Sequence, residues 1–352
     1  MAADAHGDVR SQRMPCERSG RPLRGESAMS SRSHWGIILA GGDGTRLRSL
    51  TRRIAGDERP KQFCRLLGDK TLLEQTRQRA MRLLSPQRTF TVVVRCHEGF
   101  YAPLLGDVPS ERMVIQPENR GTAPAILYGL LRLRAIAPRG SVAIFPSDHY
   151  ISDDEAFMAH VDRAFELVRA RPDMLVLLGV IPDGAEVGYG WIEPGERVAE
   201  LPWPDAYRVR RFWEKPTPAL AQTLLATGCL WNSFVMVGDV ATLLALIRSA
   251  APGLFDSFGP VLSRLTTPWE DASVRRLYSW LQSTDFSRQV LAVRPASLSV
   301  LALKGVAWSD LGDPCRVMAT LAGIGERPEW AAESSASSGR DASMRWVDSR
   351  RC

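Results

Sequence analysis

Short apolar runs alternate with longer segments of helical period from residue 35 to residue 303, and few architectures accept that pattern. The runs at 35–40, 90–95, 113–116, 141–145, 174–180, 207–213, 234–237 and 298–303 are expected as strands, and 71–84, 122–136, 154–170, 217–226 and 240–249 as helices. The early runs are apolar throughout instead of alternating with polar residues, which is the signature of strands covered on both faces. The expected fold class is therefore α/β, with a doubly wound, mostly parallel sheet that presents ligands at the carboxyl ends of its strands. Ser152 and Glu155 have the spacing of a capping box ahead of the third helix. From about Gly184 the pattern becomes irregular, which predicts a smaller mixed half that covers the site and is not a domain of its own.

Outside this region the chain changes character. Residues 1–33 are polar and rich in Arg, Ser and Gly, without periodicity, and are expected to be a disordered tail. Residues 326–352, with their Ser-rich stretch at 334–339, are expected to be a second, leaving 34–325 as the folded domain. Met14 and Met29 offer alternative starts. No run approaches the ~20 apolar residues of a membrane span, and the N-terminal segment has no apolar core of a secretory signal. The six cysteines are scattered, with no C-x-x-C pair, which suits reduced thiols, a cytoplasmic protein and no zinc site. The net charge is +6, but Arg is spread evenly, so nucleic acid is not an expected partner. Only four of the 45 basic residues are Lys (Lys61, Lys70, Lys215 and Lys304), which makes each surviving lysine informative.

The first strand runs into Leu39-Ala40-Gly41-Gly42-Asp43-Gly44-Thr45-Arg46-Leu47. Three glycines in four residues after a buried strand let backbone N–H groups approach a phosphate without Cβ obstruction. Arg46 adds a fork of donors suited to phosphate oxygens. The dinucleotide fingerprint needs a glycine where Leu47 stands, and the P-loop needs Gly-Lys-Ser/Thr, which is absent. A dehydrogenase or a P-loop kinase is thereby disfavoured.

This loop, followed by Arg59-Pro60-Lys61-Gln62-Phe63, resembles the signature of the sugar-phosphate nucleotidyltransferases, and most of all their mannose-1-phosphate guanylyltransferase branch. Further matching stations follow in family order: Gln116 to Ala125, Phe145-Pro146-Ser147-Asp148-His149, Gly188-Tyr189-Gly190-Trp191-Ile192, Glu214-Lys215-Pro216, Trp231-Asn232-Ser233 and Trp308-Ser309-Asp310-Leu311-Gly312. The resemblance spans residue 35 to about 321, and implies a Rossmann-like nucleotidyltransferase fold in a single-domain form. Three departures stand out. Cys64 replaces a leucine, Asn119-Arg120-Gly121-Thr122 stands for the usual Arg-Asn-Thr, and Phe234 replaces the glycine after Trp-Asn-Ser.

By resemblance, the nucleotide would be held by Leu39, Gly41, Gly42, Gly44, Thr45, Arg46, Lys61, Asn119 and Thr122. Thr122 would also cap its helix, with Pro124 in the first turn. The sugar phosphate would contact Gly190, Glu214, Lys215 and Asn232, with the two glycines beside Tyr189 permitting close approach to a hexose. Asp148 and Asp310 would bind Mg²⁺, His149 would serve as a local hydrogen-bonding residue, and Arg46, Lys61 and Lys215 would supply catalytic charge. The implied reaction moves a nucleotidyl group from an NTP, most naturally GTP, onto a sugar 1-phosphate, most naturally mannose 1-phosphate. Its products are GDP-mannose and pyrophosphate. The alternatives are another NTP or sugar (glucose or a heptose 1-phosphate), or an inactive nucleotide-sugar-binding regulator. The expected partners are small molecules, with room for a homodimer.

Overall fold

A computed structural model describes residues 34–198 and 205–332, all within one compact unit. Eleven strands occur among these residues: β1 His34–Leu39, β2 Thr89–Val94, β3 Met113–Gln116, β4 Ser141–Pro146, β5 Tyr150–Ile151, β6 Leu175–Val180, β7 Gly190–Arg197, β8 Ala206–Glu214, β9 Leu230–Asp239, β10 Leu298–Leu303 and β11 Trp308–Ser309. The helices are α1 Arg48–Ala55, α2 Leu72–Ala80, α3 Glu98–Tyr101, α4 Thr122–Ile136, α5 Asp154–Ala170, α6 Pro218–Ala226, α7 Val240–Ala250, α8 Pro252–Ser257, α9 Gly259–Leu262, α10 Glu270–Tyr278, α11 Pro314–Gly323 and α12 Glu329–Ala332.

Nine strands form one sheet in the order β3-β2-β1-β4-β9-β6-β10-β8-β7. β1 through β4 pair in parallel, as do β6 and β10, while β9 runs antiparallel between β4 and β6. The chain leaves β1 toward β2 on one side and finds β4 on the other, so the order reverses between β1 and β4, where an open α/β sheet binds its ligand. Alternate strand residues supply two cores: Ile37, Val142, Ile144 and Leu177 pack beneath α4 and α7, and Ile38, Ala143, Phe145 and Leu178 beneath α5. That two-sided burial is why the early strands read as unbroken apolar runs. A third cluster joins α1 to α11 through Leu47, Leu50, Leu311, Val317 and Leu321.

The irregular half is not separate. β8 joins the main sheet antiparallel to β10, and β7 pairs antiparallel with both β8 and β9. The capping box lies at Thr71 and Glu74, at the start of α2, not at Ser152 and Glu155. α5 is capped by Asp153, whose Oδ1 accepts from the amides of Glu155 and Ala156. Ser152 instead accepts from the Ala307 amide at 2.8 Å. The expected tail at 1–33 and residues 333–352 lie outside the described residues. The start of the expected C-terminal tail continues the ordered chain to α12, where Trp330 packs on the third cluster. Among the described residues, no helix is long and apolar enough to cross a membrane.

Candidate active site

A cleft of about 380 Å³ opens at the carboxyl ends of β1 and β4. On one side lies the glycine loop. Gly44 adopts φ 58°, and a Cβ there would sit 2.9 Å from the Lys61 amide nitrogen, so the loop rests directly on the Pro60–Lys61 backbone. Gln62 braces it by donating from Nε2 to the carbonyls of Ala40 (3.2 Å) and Gly42 (2.7 Å). Gly41, Gly42 and the exposed Arg46 therefore face the cleft on a fixed scaffold.

Asn119 and Thr122 also reach the cleft wall, but their polar groups are engaged. Asn119 donates to Asp43 Oδ2 at 2.8 Å and accepts from the Gly121 amide at 3.0 Å. Thr122 does not cap α4. The cap position is Gly121, and Thr122 Oγ1 accepts from the Phe286 amide at 2.8 Å. Gly121 sits at φ 87°, and a Cβ there would lie 2.5 Å from the Thr284 carbonyl oxygen. The Arg120–Ala123 and Thr284–Phe286 segments are clasped by reciprocal backbone bonds, Ala123 N to Thr284 O at 3.1 Å and Thr284 N to Arg120 O at 3.0 Å. The departure at Gly121 thus has a local cause, since no larger residue fits beneath that clasp.

The two acids meet through the smallest sheet in the fold. β5 and β11 pair antiparallel, Ser309 opposite Tyr150, which sets Asp310 beside the residues that follow β4. Asp148 and Asp310 both line the cleft. Lys61 lies between them, its Nζ 3.2 Å from Asp148 Oδ2 while donating to the carbonyls of Asp310 and Leu311. Lys61 is buried, and neither it nor the expected Gly44 and Thr45 lines the cleft. Asp310 Oδ1 accepts from Arg316 (2.9 Å), Tyr189 (3.2 Å) and the Gly312 amide (2.8 Å). Burial alone would raise the Asp310 carboxyl, but His149, Lys61 and Arg316 outweigh it and hold the group below the ordinary carboxylate range. His149 is itself pushed down by burial, and its Nδ1 accepts from the Trp308 indole N–H at 3.3 Å.

At the far end, Glu214 and Lys215 leave β8 together, with Lys215 in the left-handed region at φ 52° and its amide donating to the Tyr189 carbonyl at 3.1 Å. Lys215 Nζ is half exposed, 3.9 Å from Glu214 Oε1. Burial, followed by the charge of Asp285, raises the Glu214 carboxyl above its usual value. Asn232 is buried and accepts from the Phe234 amide at 3.1 Å, holding Phe234 at φ 60° on the cleft wall. The room at the two expected glycines is taken by protein groups. A Cβ on Gly190 would meet Glu214 Oε2 at 2.9 Å, and one on Gly188 would meet Arg316 Nη2 at 2.6 Å.

Of the residues expected from sequence, Leu39, Gly41, Gly42, Arg46, Asn119, Thr122, Asp148, Gly190, Glu214, Lys215, Asn232 and Asp310 converge on this cleft. Asp285, Ser287 and Arg316 were not expected; the first two line it, and the third holds Asp310 from behind. None stands in a motif, so only their contacts reveal them.

The Nucleotidyl transferase family matches residues 35–320. Among curated proteins, the chain is 30% identical over 286 residues to mannose-1-phosphate guanylyltransferase of Escherichia coli (strain K12), covering 78% of this chain and 57% of that protein. It is 32% identical over 289 residues to the xanthan biosynthesis protein XanB of Xanthomonas campestris pv. campestris (strain B100), with the same coverages. The chain thus spans little more than half the length of these relatives. A crystal structure described as mannose-1-phosphate geranyltransferase from Thermus thermophilus superposes with a TM-score of 0.69 at 30% identity, covering 81% of this chain and 79% of that one. With a family match across most of its length and a cleft assembled from the matched segments, the chain belongs to the Nucleotidyl transferase family.

Proposed function

We propose that this protein transfers a guanylyl group from GTP to mannose 1-phosphate, forming GDP-mannose and releasing pyrophosphate. The observation that carries the reading is the convergence of Asp148, Asp310 and Lys61 between a glycine loop and the Glu214–Lys215 pair. The names of the similar proteins point to the same substrates.

A phosphate oxygen of the sugar 1-phosphate attacks the α-phosphorus of the nucleotide. The new P–O bond forms as the bond to the α,β-bridging oxygen breaks, and both electrons leave with pyrophosphate. The attacking oxygen is already ionised near neutrality, since a monoester has its second pKa at ~6, so no general base is needed. The barrier is electrostatic, because two polyanions must be aligned, and catalysis rests on positioning and charge neutralisation. Gly41, Gly42 and Arg46 would bind the triphosphate, and Lys215 the sugar phosphate, with Glu214 and Asn232 accepting from sugar hydroxyls. Lys61 has a more structural part than a direct phosphate contact. It is buried among Asp148 and the 310–311 carbonyls, and holds the two acid-bearing loops together.

Asp148 and Asp310 suit Mg²⁺, which takes one or two carboxylates and completes its shell with water and substrate phosphates. Both are oxygen donors on one cleft, and all protein hydrogen bonds to the Asp310 carboxylate among the described residues go to Oδ1. When bound, the ion would neutralise charge on the phosphates. Pyrophosphate release across a panel of NTPs and sugar 1-phosphates tests the proposal. GTP with mannose 1-phosphate is expected to turn over fastest; release with no pair, or a preference for another base or sugar, would contradict it.

A further inference from the structure

Arg316 occupies a seat built from four side chains on two loops. It lies in the first turn of α11, and its fork reaches Asp310 Oδ1 through Nη1 at 2.9 Å, Glu186 Oε1 through Nη2 at 2.7 Å and Asp313 Oδ2 through Nε at 3.4 Å. Its guanidinium carbon lies 4.3 Å from the centroid of the Tyr189 ring, whose hydroxyl donates to the same Asp310 oxygen. Two glycines leave room for it. A Cβ on Gly188 would stand 2.6 Å from Nη2, and one on Gly312 would stand 2.9 Å from Nη1 and overlap the Asp310 carboxylate. The side chain is only 16% exposed. Glu186 in turn accepts from the Gly188 amide at 2.9 Å, and its carbonyl accepts from the Trp191 indole at 2.7 Å, so the fork grips the base of the loop that enters β7.

This seat joins two places that have different tasks under the proposed function. Asp310 is one of the two acids assigned to the cation, and Tyr189 and Gly190 wall the end of the cleft assigned to the sugar phosphate. A planar, pre-organised fork ties its partners in one geometry where a flexible ammonium would not. We propose that Arg316 is a positioning residue that locks the 186–190 loop to Asp310, so that binding of sugar 1-phosphate and binding of Mg²⁺ strengthen each other. The inference rests on the reading of Asp148 and Asp310 as the cation site.

The test is the dissociation constant of mannose 1-phosphate, measured by calorimetry in EDTA and in saturating Mg²⁺. The proteins are the wild type, Arg316→Lys and Glu186→Gln, with thermal melts confirming that each is folded. By linkage, the ratio of the two constants is the coupling factor. The wild type is expected to show a factor of about 5–150, the usual range for coupled sites. Arg316→Lys keeps the charge and loses the fork, and Glu186→Gln loosens the loop without touching Asp310, so in both the factor should fall toward one. Mn²⁺ binding to the sugar-free variants, read by electron paramagnetic resonance, should not weaken. A factor unchanged in both variants overturns the inference, as does a wild-type factor of one in a protein that binds Mn²⁺. A wild type that binds no Mn²⁺ overturns the cation site itself, and this inference with it.

Discussion

At the scale of single residues, the site is a matter of which charges are spent on protein and which are left for substrate. Arg46 is exposed on the cleft, whereas Lys61 is buried against Asp148 and two carbonyls. Arg46→Ala should lower turnover by ~10²–10³, as for loss of one transition-state donor, with little change in melting temperature. Lys61→Ala should lower turnover similarly and also destabilise the fold, because it leaves a carboxylate and two carbonyls without their cation. Turnover near wild type in steady-state assays of both variants would refute these roles.

Glu214 gives a pH signature. Its carboxyl is raised above the ordinary value of 4.5 by burial and by Asp285. A carboxyl raised in the folded state favours folding while protonated; that contribution is complete below 4.5 and is lost as pH rises through the raised value. The melting temperature of Glu214→Gln relative to wild type should therefore climb as pH rises through this window. A flat difference between pH 4 and neutrality, by calorimetry, would contradict the assignment.

The residues legible in the sequence were those with a reason to be rare. Lys61 and Lys215 stood out in a chain that uses Arg almost everywhere else, and both acids stood inside motif segments. Arg316 was one arginine among many and Asp285 one acid among many. Their function is set by neighbours more than 100 positions away in Tyr189 and 71 positions away in Glu214.

At the scale of elements, local signals predicted what local forces decide. The bounds of α4 and α5 came through from their apolar period alone. Ser152 shows where that logic ends: its spacing to Glu155 satisfied the capping rule, yet the hydroxyl bonds across to Ala307 and Asp153 takes the cap. Two-residue strands such as β5 and β11 carry no period at all, and yet their pairing is what brings the two acids together. The clasp between Gly121 and Thr284 is likewise tertiary. Gly121→Ala places a Cβ against a carbonyl at a left-handed φ, so destabilisation of about 1–3 kcal/mol is expected, seen as a lower denaturant midpoint with a raised KM for the nucleotide. A variant as stable as wild type would show that the clasp can yield.

At the scale of the whole molecule, the sheet gathers into one cleft what the chain holds nearly 270 positions apart, from Gly41 to Asp310. The apolar strands announced a parallel, two-sided sheet, and the reversal between β1 and β4 locates the cleft at its carboxyl edge. The strand at 207–213 was legible, but its partner β7 was not, because Pro194, Gly195 and the bulges around them break the alternation of a strand. The sheet leaves the two acids on one cleft, with Lys61 bonded to the Asp148 carboxylate and the 310–311 carbonyls, and the proposed chemistry requires that cleft to hold a divalent ion.

Anomalous diffraction from crystals soaked with Mn²⁺ and GDP-mannose tests this most directly. One peak is expected in contact with both the Asp148 and Asp310 carboxylates, on the side facing the nucleotide phosphates. A peak that touches neither acid, or a cleft filled by GDP-mannose with no peak at all, would contradict it.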